Sequence, residues 1–307
     1  MRKDLLDLSS LSRAEVEEIL EQAKPLKEVF QRSVKKFPAL KGKTVLMLFY
    51  EPSTRTLSSF EVAAKRMGAD VTVLDVPSSS VVKGESIKDT VDTLQAMQAD
   101  YIVVRHAMPG LPGRIADMTR ASVISAGDGA HAHPTQGLLD AFTLREIYPS
   151  EEGKRVLIAG DIRHSRVARS TSTVLKTLGF EVAFLGPGSL VPEEAGFTRF
   201  TNFEEAWKWQ PDVFYMLRVQ KERQGCQFFP SVGEYHKLYG LTEERFRRIE
   251  SEGRWVMHPG PVNRGVELVD AVMDYERTLI NQQVENGIAV RMAVLYLLKQ
   301  GEESMGL

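Results

Sequence analysis

The 307-residue sequence has a single cysteine, Cys226. No disulfide can form within the chain, and one thiol is too few for a zinc ribbon or an iron–sulfur cluster. The six histidines are not spaced as a metal-binding motif, and the glycines at 127–129 lack the G-x-G-x-x-G form of dinucleotide sites. We therefore expect no metal and no cofactor.

Long apolar runs are also absent. No stretch approaches the ~18 consecutive apolar residues of a membrane helix, and no apolar run follows the two early positive charges. We expect a cytoplasmic protein without a secretory signal or a membrane partner. The net charge is only −2, so no basic excess predicts binding to nucleic acid.

The chain does have short apolar runs that alternate with amphipathic helical segments. Such runs are typical of parallel strands covered on both faces. The runs of strand length are 44–50, 70–75, 101–105, 121–126, 155–160, 180–186, 212–217 and 254–260. We predict an α/β fold with two doubly wound parallel-sheet domains joined by interdomain helices. The predicted domains are 1–133 and 134–284, with a long final helix from about 275 whose end, about 285–307, can return to the first domain.

The segment EPSTRT at 51–56 directly follows the first apolar run. A strand-to-helix turn there would combine backbone N–H groups, three hydroxyls and the Arg55 guanidinium into a phosphate-sized anion site. The alternative is an ordinary helix cap with Arg55 on the surface. Both interpretations stay open on the residues alone.

Longer motifs carry a resemblance. FYEPSTRTLSSFEVAAKRMGA at 49–69, AGDG at 126–129 and HPTQ at 133–136, followed by LLD, are similar to the transcarbamylase family. RVQKER at 218–223 resembles the aspartate-using branch of that family. The resemblance covers nearly the whole chain. It implies transfer of a carbamoyl group from carbamoyl phosphate to L-aspartate, giving N-carbamoyl-L-aspartate and phosphate, in de novo pyrimidine biosynthesis.

The resemblance also implies the carbamoyl phosphate site. The residues assigned to it are Ser53, Thr54, Arg55, Thr56, Arg105, His133, Gln136 and, through their backbone, Gly260 and Pro261. Donors aimed at the carbonyl oxygen would stabilise the charge that develops there, and the residues assigned to catalysis are Arg55, Thr56, Arg105, His133 and Lys83. On the residues alone, His133 could instead be structural, and Arg105 could form a salt bridge with a nearby carboxylate.

The aspartate site is implied in the same way, at Lys83, Arg166, Arg218 and Gln220. An arginine fork suits a carboxylate. Family members form trimers in which Ser79 and Lys83 reach a neighbouring subunit, although a solvated loop is the plainer interpretation of those two residues. The resemblance thus implies a homotrimer, and a larger assembly with regulatory chains or dihydroorotase stays open.

Three other functions compete. The first is a transcarbamylase for another amine such as ornithine or acetylornithine, although the HPGP loop at 258–261 lacks the cysteine of ornithine-using relatives. The second is a non-catalytic α/β binding or scaffolding protein, which would need none of Arg55, Arg105, His133 and Gln136. The third is a dinucleotide-binding dehydrogenase, which the missing glycine motif disfavours.

Overall fold

The computed structural model of the chain describes residues 3–75, 86–193, 196–219 and 231–305. The chain divides into two compact units: Met1–Phe142 with Val284–Leu307, and Thr143–Gln283. Each unit contains one parallel β-sheet flanked by helices, as the predicted α/β class requires. The first unit extends nine residues beyond the boundary expected after residue 133, and the C-terminal segment belongs to it.

The first unit is built on a four-stranded sheet in the order β2-β1-β3-β4. The strands are β1 (Thr44–Phe49), β2 (Asp70–Asp75), β3 (Tyr101–His106) and β4 (Ser122–Asp128). The helices that begin in it are α1 (Arg13–Glu28), α2 (Thr54–Arg66), α3 (Ile87–Ala96), α4 (Leu111–Ala116) and α5 (Pro134–Ile147). β1 is buried on both faces from Val45 to Phe49, as its unbroken apolar run predicts.

In the described residues, the second unit contains a five-stranded sheet in the order β7-β6-β5-β8-β9. The strands are β5 (Arg155–Ala159), β6 (Glu181–Leu185), β7 (Thr198–Phe200), β8 (Val213–Met216) and β9 (Trp255–Met257). Its helices are α6 (Arg166–Leu178), α7 (Phe203–Lys208), α8 (Val232–Tyr239) and α9 (Glu243–Glu252). A final helix, α10 (Ile280–Met305), completes the chain. Both α5 and α10 cross the sequence boundaries between the two units.

The final helix begins later than the expected position near residue 275. The segment before it pairs with β9 instead: the N–H of Leu279 donates to the carbonyl of Val256 over 2.9 Å, and Val256 forms a bridge with Thr278. These backbone bonds hold the segment extended beside the sheet, so α10 can begin only at Ile280.

Each sheet has one point where the strand order changes direction. In the first sheet, β2 lies on one side of β1 and β3 lies on the other; in the second, β6 and β8 flank β5 in the same way. At this point two adjacent strands, β1 and β3 in the first sheet and β5 and β8 in the second, have connections that leave their carboxyl ends toward opposite faces of the sheet. A crevice opens between these connections, and α/β proteins bind ligands there. The loops after β1 and β3, and after β5 and β8, are therefore where a site is expected.

Candidate active site

The EPSTRT segment lies where the first crevice is expected. It connects β1 to α2, which begins at Thr54. Ser53 occupies the N-cap position but its side chain makes no capping hydrogen bond, and the first helical turn contains no acidic residue. Arg55 is exposed, whereas Thr56 is buried. The missing cap disagrees with the ordinary-cap interpretation, whereas the exposed Arg55 agrees with it. The N-terminus of α2 presents hydroxyls and the positive end of the helix dipole, which suit an anion.

Arg105 lies at the end of β3, beside β1. Its backbone is in register with Phe49, and its side chain is only 13% exposed. The Arg105 Nε lies 3.4 Å from Glu51 Oε2, and its Nη1 donates to the carbonyl of Ala126 over 3.2 Å. The salt bridge that the sequence offered as an alternative therefore exists. It also holds the guanidinium at the carboxyl edge of the sheet, where a charge needs a partner.

His133 begins α5. Its side chain is buried, and its carbonyl accepts hydrogen bonds from the N–H groups of Gln136 and Gly137 over 3.0 and 3.2 Å. The helix therefore fixes the backbone of His133 and places Gln136 one turn away on the same face. Gln136 is also buried. Two of the residues assigned by resemblance thus lie at the start of α5, joined by these backbone hydrogen bonds.

The loop that leads to His133 is fastened by Asp128, which the sequence did not single out. Asp128 is buried at the end of β4 and accepts from the backbone N–H groups of Gly110 and Ala132 over 2.7 and 2.9 Å, and its carboxylate lies 3.0 Å from His131 Nδ1. Gly129 has a φ of +49°, and a Cβ there would lie 2.7 Å from the carbonyl of Ala107. The glycines beside Asp128 therefore allow the loops after β3 and β4 to pass closely.

We expect Asp128→Ala to lower the free energy of unfolding by about 2 kcal/mol or more, because it leaves two backbone donors without their acceptor. Urea denaturation measures this change. The control is Asp117→Ala, which removes an exposed carboxylate after α4 and should change stability by about 0.5 kcal/mol at most. Equal losses in the two variants would contradict the fastening role of Asp128.

Arg166 and Arg218 follow the two strands that flank the second crevice. Arg166 is the first residue of α6 and is buried, and the Ser165 hydroxyl caps that helix by accepting from the N–H of Ala168 over 3.1 Å. Arg218 follows β8 and is half-buried. Both positions agree with the sequence, which placed each arginine after a strand and Arg166 at the start of a helix. The other residues assigned by resemblance, Ser79, Lys83 and Gln220, lie outside the described residues.

A buried carboxylate that the sequence missed joins two loops of the second unit. Glu267 has no exposed surface and accepts from the N–H of Val219, and from the N–H and side-chain amide of Asn263, over 2.7, 2.8 and 2.8 Å. Burial raises the pKa of Glu267, and these hydrogen bonds oppose the rise. Glu267 thereby ties the residue after Arg218 to the loop that follows β9 and carries Gly260.

The same loop is ordered by His258. The N–H of Gly260 donates to His258 Nδ1 over 2.9 Å, so that nitrogen is an acceptor and Nε2 carries the proton. The backbone N–H of His258 in turn donates to Gln283 Oε1 over 3.1 Å. Gly260 has a φ of +65°, which suits a glycine, and Pro261 follows it through a cis peptide bond. The backbone of this predicted substrate-binding loop is therefore fixed by buried side chains.

Within 3–75, 86–193, 196–219 and 231–305, no group of three or more His, Cys, Asp or Glu could hold a metal ion. Over the same part of the chain, no helix is long and apolar enough to cross a membrane. The chemistry available at the two crevices is that of arginines, hydroxyls, an imidazole and helix N-termini, which bind and stabilise anions.

Comparison with protein families decides what this arrangement represents. Residues 3–146 match the family model "Aspartate/ornithine carbamoyltransferase, carbamoyl-P binding domain", and residues 152–298 match "Aspartate/ornithine carbamoyltransferase, Asp/Orn binding domain". The chain belongs to the aspartate/ornithine carbamoyltransferase family. The resemblance drawn from the motifs is thereby confirmed.

Individual relatives agree with the family match. The chain is 66% identical over 299 residues to the aspartate carbamoyltransferase catalytic subunit of Akkermansia muciniphila, covering 97% of each chain. It is also similar to the catalytic subunit of M. Jannaschii aspartate transcarbamoylase, with a TM-score of 0.85, 32% identity and coverage of 98% and 99%. Aspartate transcarbamoylase from Trypanosoma cruzi in complex with carbamoyl phosphate and aspartate gives a TM-score of 0.85 at 27% identity, covering 95% of each chain.

Proposed function

We propose that the chain catalyses transfer of the carbamoyl group of carbamoyl phosphate to the amine of L-aspartate, giving N-carbamoyl-L-aspartate and phosphate. This reaction belongs to pyrimidine biosynthesis. The observation that carries the proposal is the position of Arg55, Arg105 and His133 at or after the carboxyl ends of three neighbouring strands, β1, β3 and β4, of the first sheet. The names of the similar proteins, and the carbamoyl phosphate and aspartate bound to one of them, support it.

In this proposal the phosphate of carbamoyl phosphate binds at the first turn of α2. Ser53 and Thr54 offer hydroxyls, the helix N-terminus offers backbone N–H groups, and Arg55 offers a guanidinium. Thr56, Arg105 and His133 donate to the carbonyl oxygen, which becomes an oxyanion when the amine attacks. Gln136 accepts from the carbamoyl NH₂. Phosphate then leaves into the site that already binds it, so catalysis consists of positioning and electrostatic stabilisation.

Arg166 and Arg218 bind the two carboxylates of aspartate, and Lys83 and Gln220 also belong to the aspartate site. The support for these roles is the location of both arginines beside the crevice of the second sheet, together with the resemblance. Ser79 and Lys83 are assigned to a neighbouring subunit of a homotrimer, on the resemblance alone. A cytoplasmic location and any further partner chain stay predictions from the sequence.

We expect Arg166→Ala and Arg218→Ala to impair the use of aspartate and to leave the binding of carbamoyl phosphate intact. Each change removes charge-assisted hydrogen bonds to a carboxylate, which contribute about 1.5–3 kcal/mol, or roughly 10–150-fold in kcat/KM for aspartate. Initial-rate kinetics give that ratio, and titration calorimetry with carbamoyl phosphate gives its affinity. The matched control is Arg247→Ala, which removes an exposed arginine of α9. If Arg166→Ala or Arg218→Ala weakens the binding of carbamoyl phosphate, the substituted arginine belongs to the phosphate site instead.

The substrate assignment is tested by an amine panel. Phosphate release from carbamoyl phosphate is measured with aspartate, ornithine or acetylornithine as the second substrate. We expect aspartate to be used and the other two to give background rates, because two arginines suit a dicarboxylate and repel the additional ammonium of ornithine. Preference for either alternative amine would support the rival transcarbamylase. Background rates with all three would support the non-catalytic binding protein.

A further inference from the structure

The amide of Gln136 faces a buried carboxylate. Gln136 Nε2 lies 3.0 Å from Asp140 Oδ1, one turn later on α5, and Asp140 has no exposed surface. An ionised carboxylate accepts hydrogen bonds and cannot donate them. Gln136 must therefore turn its NH₂ toward Asp140, which leaves its carbonyl oxygen, Oε1, on the other side of the amide plane.

A buried arginine of α10 supplies the opposite charge. Arg291 is buried, and its Nη1 donates to the carbonyl of Gly287 over 2.8 Å. Burial lowers the pKa of Arg291 to about 9, and the negative charge of Asp140 opposes that change, so the guanidinium stays protonated at neutral pH. A carboxylate without exposed surface keeps its charge at neutral pH when such a cation compensates it.

Arg291 also contacts the helix of the phosphate site. Its guanidinium lies 5.0 Å from the ring centre of Phe60, a residue on the buried face of α2. Gly287 leaves space for it, because a Cβ at that position would collide with Arg291 Nη1. Arg291 thus contacts α2, which begins at the phosphate site, and interacts electrostatically with Asp140 on α5, which also carries Gln136. The same Cβ at Gly287 would lie 3.2 Å from Leu139 Cδ2, so this part of α10 packs against α5 beside Asp140.

We propose that Asp140 and Arg291 are positioning residues of the carbamoyl phosphate site: Arg291 keeps Asp140 ionised, and Asp140 holds the Gln136 amide so that Oε1 accepts from the carbamoyl NH₂. The inference rests on the proposed function and adds a source of specificity to it. Inorganic phosphate has no NH₂, and acetyl phosphate carries a methyl group in its place. The orientation of one amide therefore distinguishes carbamoyl phosphate from both.

The variant Asp140→Asn tests the orientation. With Arg291 still cationic, the new amide turns its oxygen toward the guanidinium and its NH₂ toward Gln136, which inverts the Gln136 amide and directs a donor at the carbamoyl NH₂. We expect the Kd of carbamoyl phosphate to rise about tenfold by titration calorimetry. The Kd values of inorganic phosphate and acetyl phosphate should stay unchanged, because neither ligand uses the Gln136 acceptor. Equal weakening of all three would overturn the inference and give Asp140 a purely structural role.

A double-mutant cycle separates action through Gln136 from independent damage. Gln136→Ala should weaken carbamoyl phosphate binding, and adding Asp140→Asn to it should have little further effect. Additive losses would overturn the inference. The matched control is Glu146→Gln, the same carboxylate-to-amide change on the exposed end of α5, which should leave all three affinities unchanged.

Arg291→Met provides a second test should Asp140→Asn fold poorly. Without the cation, Asp140 is expected to bind a proton, and its O–H can then donate to Gln136 Oε1 and invert the amide in the same way. Arg291→Lys should retain the selectivity for carbamoyl phosphate over acetyl phosphate that Arg291→Met loses. Selectivity that survives in Arg291→Met would contradict the role of Arg291. If the wild-type chain binds phosphate but not carbamoyl phosphate, the proposed function is contradicted, and this inference fails with it.

Discussion

His133→Ala should lower kcat by about 10²–10³ while changing the Kd of carbamoyl phosphate far less. The imidazole is assigned to an oxygen that becomes anionic only as the amine attacks, and loss of such a donor costs about 2.7–4 kcal/mol in the transition state. The ground-state carbonyl forms a weaker hydrogen bond, so its loss affects binding less. Steady-state kinetics at saturating substrates give kcat, and titration calorimetry gives the Kd.

His131→Ala is the matched control. This histidine lies two residues earlier on the same loop but is exposed, with its Nδ1 bonded to Asp128. Its loss should leave kcat close to that of the wild type. A near-normal kcat in His133→Ala would mean that His133 is structural, the alternative that its sequence leaves open. A large and equal fall in both variants would assign the effect to the loop instead of the imidazole.

Two nearly inactive variants, Arg55→Ala and Lys83→Gln, should restore each other's activity when their chains are mixed. In a cyclic trimer every interface is the same head-to-tail contact. If each site takes Arg55 from one chain and Lys83 from the next, any trimer with both variants has one interface at which both residues are intact. About three quarters of randomly mixed trimers contain both variants, so about a quarter of all sites should recover.

The mixing experiment needs the variants dissociated, combined in equal amounts and reassembled, with mass spectrometry to establish that mixed trimers have formed. Recovered activity should approach a quarter of the wild-type kcat with a near-normal KM. Mixing Arg55→Ala with Arg105→Ala is the control, because both residues are assigned to the same chain and no intact site can form. Mixed Arg55→Ala and Lys83→Gln trimers without activity would mean that Lys83 acts within its own chain or has no catalytic role.

Most strands were predictable because their side chains form apolar runs. Residues 45–49 and 156–159 are buried. Continuous apolar runs of this length are typical of parallel strands that are covered on both faces. β7 (Thr198–Phe200) is in none of the predicted runs, since two of its three residues are polar and exposed. The short helices α8 and α9 were missed, since each buries little: α8 buries only Tyr235, and α9 buries Phe246 and Ile249. A ten-residue helix with two buried side chains has almost no apolar periodicity to detect.

The residues of the candidate site also fall into two groups, those that the sequence could predict and those that it could not. Arg55, Arg105 and His133 could be found from the sequence because each belongs to a motif beside a strand end. Asp140 and Glu267 could not, because their roles depend on partners distant in the chain. Glu267 contacts the backbone of a residue 48 positions earlier, and Arg291 lies on the final helix, far from Asp140 in the sequence. The motif therefore predicted the residues assigned to substrate, whereas the side chains that hold them in place required the fold.

The most direct test of the proposed reaction follows the carbamoyl carbon itself. Carbamoyl phosphate labelled with ¹³C is incubated with the full chain, with and without L-aspartate, and ¹³C NMR identifies the product as phosphate release is measured in parallel. We expect the label to enter N-carbamoyl-L-aspartate at the rate of phosphate release, and both processes to require aspartate and to fall together in His133→Ala. Phosphate release that is independent of aspartate, with no label in the carbamoylated amino acid, would contradict the proposed reaction.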